Sequence, residues 1–270
     1  MPIPPADLRE VPVSDFCSFV GLREDMLGGL VSVGEARLEG SEAPAWLLEY
    51  RLSDFAGLAP IRSTIPIPGS IERSVPARQA SFLFGRVAAR AGVKGLLGRD
   101  APLPVGVRGA PVWPESLSGS ISHTDTHAIS WVRRSEAGHI GIDLERRMSD
   151  LDLEAIGEQV MSAQEAEILS TAFSGEHWPE GVTVLFSAKE AAYKALSPLV
   201  ARYLDFHDIE IEAIDLAQST LSLRRSPRLK DEPLVPARME VHFATLGGSI
   251  LTYVDMGLRS CSGGRLSAHS

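Results

Sequence analysis

The chain has 270 residues, 44% of them hydrophobic and 23% charged, with a formal charge of −9 at pH 7. That length and mixture suit an ordinary globular protein with a sizeable core, built as one large domain or two small halves. The acidic balance argues against nucleic acid as the main partner, since such proteins carry a basic domain or stripe, whereas a few arginines focused in a cleft still bind small anions. Cys17 and Cys261 lie near opposite ends, each without a second cysteine nearby, so neither a zinc cluster nor a disulfide framework is suggested. No apolar run is long enough to span a bilayer and the first residues lack a leader pattern, so a soluble protein of a reducing, cytoplasmic compartment is expected.

The first dozen residues are proline-rich and predict an extended, loosely attached start. Residues 30–33 and 46–50 are apolar runs too short for periodicity to separate strand from helix. From residue 76 to about 92, Phe82, Val87, Ala88 and Ala91 recur at helical spacing, with Pro76 suited to the first turn and Gly92 to the stop. Arg78 and Arg86 then share one side of that helix, about two turns apart. Residues 94–114 are dense in glycine and proline and read as a long loop. Strands follow at 118–122 and 128–132, and Gly138-His139-Ile140-Gly141-Ile142 leads into Asp143. A polar connection covers 146–152. Ser162-Ala163-Gln164-Glu165 is a capping box that starts a helix near Gln164. Pro179 marks a break, and a further helix at 182–196 stops before Pro198. Ile209, Ile211 and Ile214, then Leu221 and Leu223, Val241 and Phe243, and Leu251 and Tyr253 mark four strands. From about 257 the chain is serine- and glycine-rich, which predicts disorder.

Two segments carry chemistry. Gly141-Ile142-Asp143-Leu144-Glu145 is an apolar strand that ends with two acids on one face, because residues i and i+2 of a strand point the same way. Phe186-Ser187-Ala188-Lys189-Glu190-Ala191-Ala192-Tyr193-Lys194 puts the carboxylate of Glu190 and the ammonium of Lys194 one helical turn apart. Taken alone, these are a solvated strand end and a surface i to i+4 pair. Ile142 and Leu144 in a half-buried strand, and Phe186, Ala192, Tyr193 and Leu196 on a packed helix face, favour three acids gathered near a core. Such a set suits a hard divalent cation that grips a phosphate chain. Ser122-His123 closes another strand, where the simplest reading is a hydrogen-bonded histidine. His123 and His127 have zinc-site spacing, but Thr124 stands where a zincin has glutamate. Gly119-Ser120-Ile121-Ser122-His123 lacks the closing glycine of a nucleophile elbow. Neither a Walker loop nor a dinucleotide fingerprint is present.

Arg78-Gln79-Ala80-Ser81-Phe82 with Gly85-Arg86, then Pro111-Val112-Trp113-Pro114, the Gly-Ser-Ile-Ser-His run and the two blocks above stand in an order that resembles the Sfp-type 4′-phosphopantetheinyl transferases. The likeness is strongest to the branch attached to siderophore (enterobactin-like) synthases. It implies an α+β fold of two pseudo-symmetric halves, 1–137 and 138–256, with the active site between them and a tail at 257–270. It implies a monomeric enzyme that transfers the phosphopantetheine arm of coenzyme A to a serine of an acyl or peptidyl carrier protein, for siderophore, peptide or polyketide synthesis. The serine oxygen attacks the β-phosphorus and 3′,5′-ADP leaves. By the same resemblance Asp143, Glu145 and Glu190 hold Mg²⁺, with Mn²⁺ as a substitute. Glu190 doubles as base and Lys194 neutralises the leaving α-phosphate, with Lys189 beside it. Arg78, Arg86, Ser122 and His123 take the 3′-phosphate end of coenzyme A, and Arg108 a nucleotide phosphate. Two departures from the family pattern stand out: Ser81 replaces an acid, and Leu144 replaces isoleucine between the acids. The alternative of another class is a silent coenzyme A or carrier-binding module, which the presence of all three acids and Lys194 opposes.

Overall fold

The computed structural model describes residues 3–51, 60–106 and 109–257. Arg108 and the serine-rich stretch beyond residue 257 lie outside the described residues. The first half contains β1 (Asp7–Val11), α1 (Val13–Val20), β2 (Leu30–Arg37), β3 (Ala45–Tyr50), α2 (Gly69–Glu72), α3 (Pro76–Leu97), β4 (Leu117–His123) and β5 (His127–Arg134). Its strands form an antiparallel sheet in the order β1-β2-β3-β5-β4. The second contains β6 (His139–Arg146), α4 (Asp150–Val160), α5 (Ala163–Ala172), α6 (Trp178–Leu196), β7 (Ile209–Asp215), β8 (Thr220–Arg225), β9 (Arg238–Leu246) and β10 (Ser249–Met256), with sheet order β6-β10-β9-β8-β7. The chain is thus α+β, with two five-stranded sheets, each packed against one long helix.

Each helix is buried along the face its sequence makes apolar. Leu83, Phe84, Val87 and Ala88 of α3 pack on Val33, Leu48 and Tyr50, with the Phe84 ring stacked on Tyr50 at 4.4 Å. Leu185, Ala188, Ala192 and Ala195 of α6 pack on Leu223, Val241 and Phe243. A third apolar cluster joins the halves: Leu47, Ile129 and Trp131 meet Ile142, Leu144, Leu251 and Tyr253, with Trp131 edge-on to Tyr253 at 6.0 Å. Large side chains buried this way contribute about 1.5–3 kcal/mol each.

Two contacts position the site. Edge strands β4 and β6 lie side by side, joined through side chains: Ser120 Oγ accepts from the Ile142 N–H at 3.0 Å, and Ser122 Oγ donates to Asp143 Oδ1 at 2.8 Å. On its other face β6 touches α6 closely, because residue 141 is glycine; a Cβ there would overlap the Ala191 carbonyl oxygen.

Several sequence-based expectations change. The helix that begins at Pro76 does not stop at Gly92 but runs to Leu97, ending on Gly98 in the left-handed region (φ 67°). Gly92 serves packing instead, since a Cβ there would press on the Val132 side chain. The N-terminal residues are not loosely attached: β1 pairs with β2, and residues 4–6 bond to Thr245 of β9 through Ala6 N–H to Thr245 O and Thr245 N–H to Pro4 O, both 2.8 Å. The connection expected at 146–152 gives way at Asp150 to α4, capped by a reciprocal Ser149–Asp152 box. Pro179 lies in the first turn of α6, where its missing N–H costs nothing, so this helix begins at Trp178. The capping box at Ser162 and Glu165 forms as expected. Residues 30–33 and 46–50 fall in strands.

Candidate active site

Three elements deliver the polar groups. Strand β6 turns Ile142 and Leu144 into the apolar cluster between the halves, so period-two alternation turns Asp143 and Glu145 towards α6. Helix α6 brings Ser187, Glu190 and Lys194 to that face at i, i+3 and i+7 spacing. Strand β4 adds Ser122 and His123 at its end.

Asp143 is 2% exposed and lies at the centre. Its Oδ1 accepts from Lys194 Nζ at 2.6 Å and Ser122 Oγ at 2.8 Å, and its Oδ2 accepts from Ser187 Oγ at 2.8 Å. Ser187 Oγ also lies 2.9 Å from Thr252 Oγ1, on the residue of β10 that faces Asp143 in register. Lys194 Nζ donates further to Ser122 Oγ at 3.0 Å and Ile142 O at 3.2 Å. The i to i+4 pair that Glu190 and Lys194 suggest in sequence is therefore not what forms, because Lys194 takes Asp143 instead.

The side-chain carboxylates of Glu145 and Glu190 make no hydrogen bond or ion pair with any described residue. Burial, then the negative charges of Asp143 and Glu190, push the Glu145 carboxyl up to about 7. Burial and Asp143 raise Glu190 in the same direction, against the pull of Lys194. Among the described residues no three His, Cys, Asp or Glu side chains form a ready-made metal cage. The donor chemistry nevertheless fits a hard divalent ion. Three carboxylates repel one another in a partly desolvated place, two of them hold free lone pairs, and a dication would reverse both shifts.

His123 has its pKa lowered to about 4, chiefly by burial and then by the charges of Arg78 and Lys194. It is neutral at pH 7, and Arg78 Nη1 donates to its Nε2 at 2.6 Å, so the ring proton sits on Nδ1. Arg78 and His123 thus form one basic corner. Arg86 is not part of it. It is 4% exposed, donates through Nη1 to Leu103 O at 2.8 Å, stands over the Phe82 ring, and has its pKa pulled down to about 10 by burial. Lys189 is also turned away: it is 2% exposed and paired with Glu165 at 2.7 Å, because neighbouring helix positions diverge by about 100°. Ser122 faces Asp143 and Lys194 rather than open space. Sequence reading missed Ser187, Thr252 and Glu165. The helical spacing of Ser187 to Glu190 and Lys194 was a usable signal, while Thr252 depends on strand register that no local pattern shows.

Residues 68–133 match the family model of the 4′-phosphopantetheinyl transferase N-terminal domain, and residues 139–246 match that of the 4′-phosphopantetheinyl transferase superfamily. The 4′-phosphopantetheinyl transferase Svp of Streptomyces mobaraensis is 32% identical over 186 residues, which cover 67% of this chain and 73% of that protein. The chain belongs to the 4′-phosphopantetheinyl transferase superfamily. The transferase is also 35% identical to 4′-phosphopantetheinyl transferase PptT of Mycobacterium tuberculosis, over 59% of this chain and 67% of the relative. Enterobactin synthase component D of Salmonella typhimurium is 36% identical over 46% of this chain and 50% of its own length. Family membership makes this a phosphopantetheinyl transferase, the class of enzyme that moves the phosphopantetheine arm of coenzyme A to carrier proteins. The polar cluster described above spans both matched regions, with Arg78, Ser122 and His123 in the first and Asp143, Glu145, Glu190 and Lys194 in the second.

Proposed function

We propose that the transferase modifies a serine of an apo carrier protein in siderophore, nonribosomal peptide or polyketide synthesis, releasing 3′,5′-ADP, and that Asp143, Glu145 and Glu190 hold the Mg²⁺ that the reaction uses. Bound there, the ion would neutralise pyrophosphate charge. The protein's own groups supply the rest. Lys194, held between Asp143, Ser122 and the Ile142 carbonyl, supplies a fixed positive charge to offset the charge that grows on the α-phosphate. Glu190, whose carboxylate oxygens are held by no side chain or backbone group among the described residues, has a lone pair to take the serine proton beside its role towards the metal. Arg78, with the neutral His123 beside it, binds the 3′-phosphate. The two functional units are residues 1–137 and 138–256, acting as a monomer in the cytoplasm, where coenzyme A and Mg²⁺ are available.

The observation that carries this reading is the convergence of Asp143, Ser122 and Lys194, from β6, β4 and α6, within hydrogen-bond reach of one another at the seam between the halves. Intact mass spectrometry of an apo peptidyl carrier, incubated with the transferase, coenzyme A and Mg²⁺, tests it. The expected result is a gain of one phosphopantetheine that disappears with EDTA. No gain on peptidyl, polyketide or fatty-acid carriers, with coenzyme A still bound, would leave a binding module.

A further inference from the structure

Glu190 has no hydrogen-bond partner among the described residues, so whatever fixes its direction must fix the helix that carries it. The residue before it is anchored on the opposite side of α6. The Lys189 ammonium lies 2.7 Å from Glu165 Oε1 and donates to the Val160 carbonyl at 2.8 Å and the Phe206 carbonyl at 2.9 Å. Glu165 is 1% exposed; Oε1 also accepts from the Ile211 N–H at 3.0 Å, and Oε2 from the Ser162 N–H at 2.9 Å. One buried pair thus ties α6 to the end of α4, the cap of α5, the turn before β7 and β7 itself.

We propose that Lys189 and Glu165 are positioning residues for phosphopantetheine transfer, fixing the rotation and height of α6 so that Glu190 and Lys194 meet Asp143 and Glu145. This rests on the functional reading above. Net stability does not account for the pair, because desolvation offsets most of the attraction and an apolar replacement of similar volume is often as stable. Its directional bonds supply what packing alone does not. The three acceptors of Lys189 belong to three separate segments, and a helix turned by one residue would strand a charge in the core. The same bonds hold a wall of the cavity of about 290 Å³ beside Glu190, since Phe206, whose carbonyl Lys189 grips, lines it with Tyr193 and Leu204 and stacks on Phe186 at 5.4 Å.

The double variant Lys189→Met/Glu165→Gln removes both charges, keeps the volume and leaves a carbonyl to accept from Ile211, while the Ser162 N–H loses the acceptor it had in Oε2. We expect a lowered thermal midpoint but a folded protein at assay temperature, an unchanged KM for coenzyme A, and a kcat lower by about ten- to a hundredfold, the loss that an ångström of misplacement brings. Mn²⁺ binding without coenzyme A, read by electron paramagnetic resonance, should weaken in parallel. Wild-type kcat and Mn²⁺ affinity in the double variant would overturn the positioning role while leaving the transferase reading intact. If the wild type itself modified no carrier, the functional reading would fail, and the Mn²⁺ measurement would still decide about the pair. Should the double variant fold poorly, Glu165→Gln alone retains all three acceptors of Lys189; a kcat equal to that of the wild type would again overturn the proposal, and a several-fold fall measured well below the midpoint would support it.

Discussion

Lys194 Nζ lies 2.6 Å from Asp143 Oδ1, whereas Glu190, one turn earlier on the same helix, has no hydrogen bond or ion pair to a described residue. The two acids therefore differ in what they do for the fold. Removing Asp143 leaves a half-buried ammonium without its counter-charge and two serines without their acceptor. Removing Glu190 relieves a carboxylate whose charge is disfavoured where it stands.

Asp143→Ala should abolish transfer and also lower stability by about 2–3 kcal/mol, slightly below the usual range for breaking a buried pair because Lys194 is partly exposed. Glu190→Ala should abolish transfer with a thermal midpoint unchanged or raised. Carrier mass shifts and thermal melts by circular dichroism read both effects. Full activity in Glu190→Ala would remove that residue from the site.

The raised pKa of Glu145, about 7, gives opposite pH slopes for folding and for metal binding. The metal-free fold prefers the protonated carboxyl, so this group's contribution is full below its ordinary value near 4.5 and is lost as pH rises through about 7. A cation needs the carboxylate, so Mg²⁺ affinity should climb over the same window, with proton release on binding below pH 7. Calorimetric titrations in two buffers of different ionisation enthalpy would detect it. Affinity independent of pH between 6 and 8 would exclude Glu145 as a ligand.

Gly141→Ala places a methyl against the Ala191 carbonyl and forces α6 away from β6. A loss of roughly 2–4 kcal/mol is expected, at the upper end for overpacking because backbone must move. Transfer should fall by more than the unfolded fraction explains, since Glu190 and Lys194 move with the helix. Activity that tracks the folded fraction alone would show that the close approach serves stability only.

Arg78 and Arg86 should separate in kinetics although they lie on one helix. Arg78→Ala and His123→Ala are expected to raise KM for coenzyme A by about tenfold, from lost phosphate contacts of 1–2 kcal/mol. Arg86→Ala removes the donor to the Leu103 carbonyl and should instead lower the thermal midpoint. An unchanged KM in His123→Ala would count against the basic corner.

Much of this was legible in the chain, for identifiable reasons. Asp143 and Glu145 could be placed because a two-residue period needs only local alternation, and α5 and the late strands followed from the capping box at Ser162 and from apolar alternation, whereas α4 with its own box at Ser149 did not. Gly92 misled because glycine stops helices and also admits close neighbours, and only the approach of Val132 distinguishes these. Lys189 misled in another way. A lysine beside a glutamate proposed for catalysis suggests phosphate until the helix is turned, and its partner Glu165 is 24 positions earlier, where the sequence shows only a helix cap. Arg86 looked like Arg78 because periodicity records the side of a helix and not what packs over it.

The strand that carries Asp143 takes its backbone hydrogen bonds from residues 249–256, and residues 4–6 bond to Thr245. Both are contacts across a hundred residues or more, and loop closure over such spans is slow. During synthesis the first sheet can pair its own strands early, whereas β6 must wait for its ladder partner until residues 249–256 have emerged. Assembly of the acidic centre is therefore a late step in folding, and a slow refolding phase that ends in recovered Mn²⁺ affinity is the kinetic trace this topology should leave.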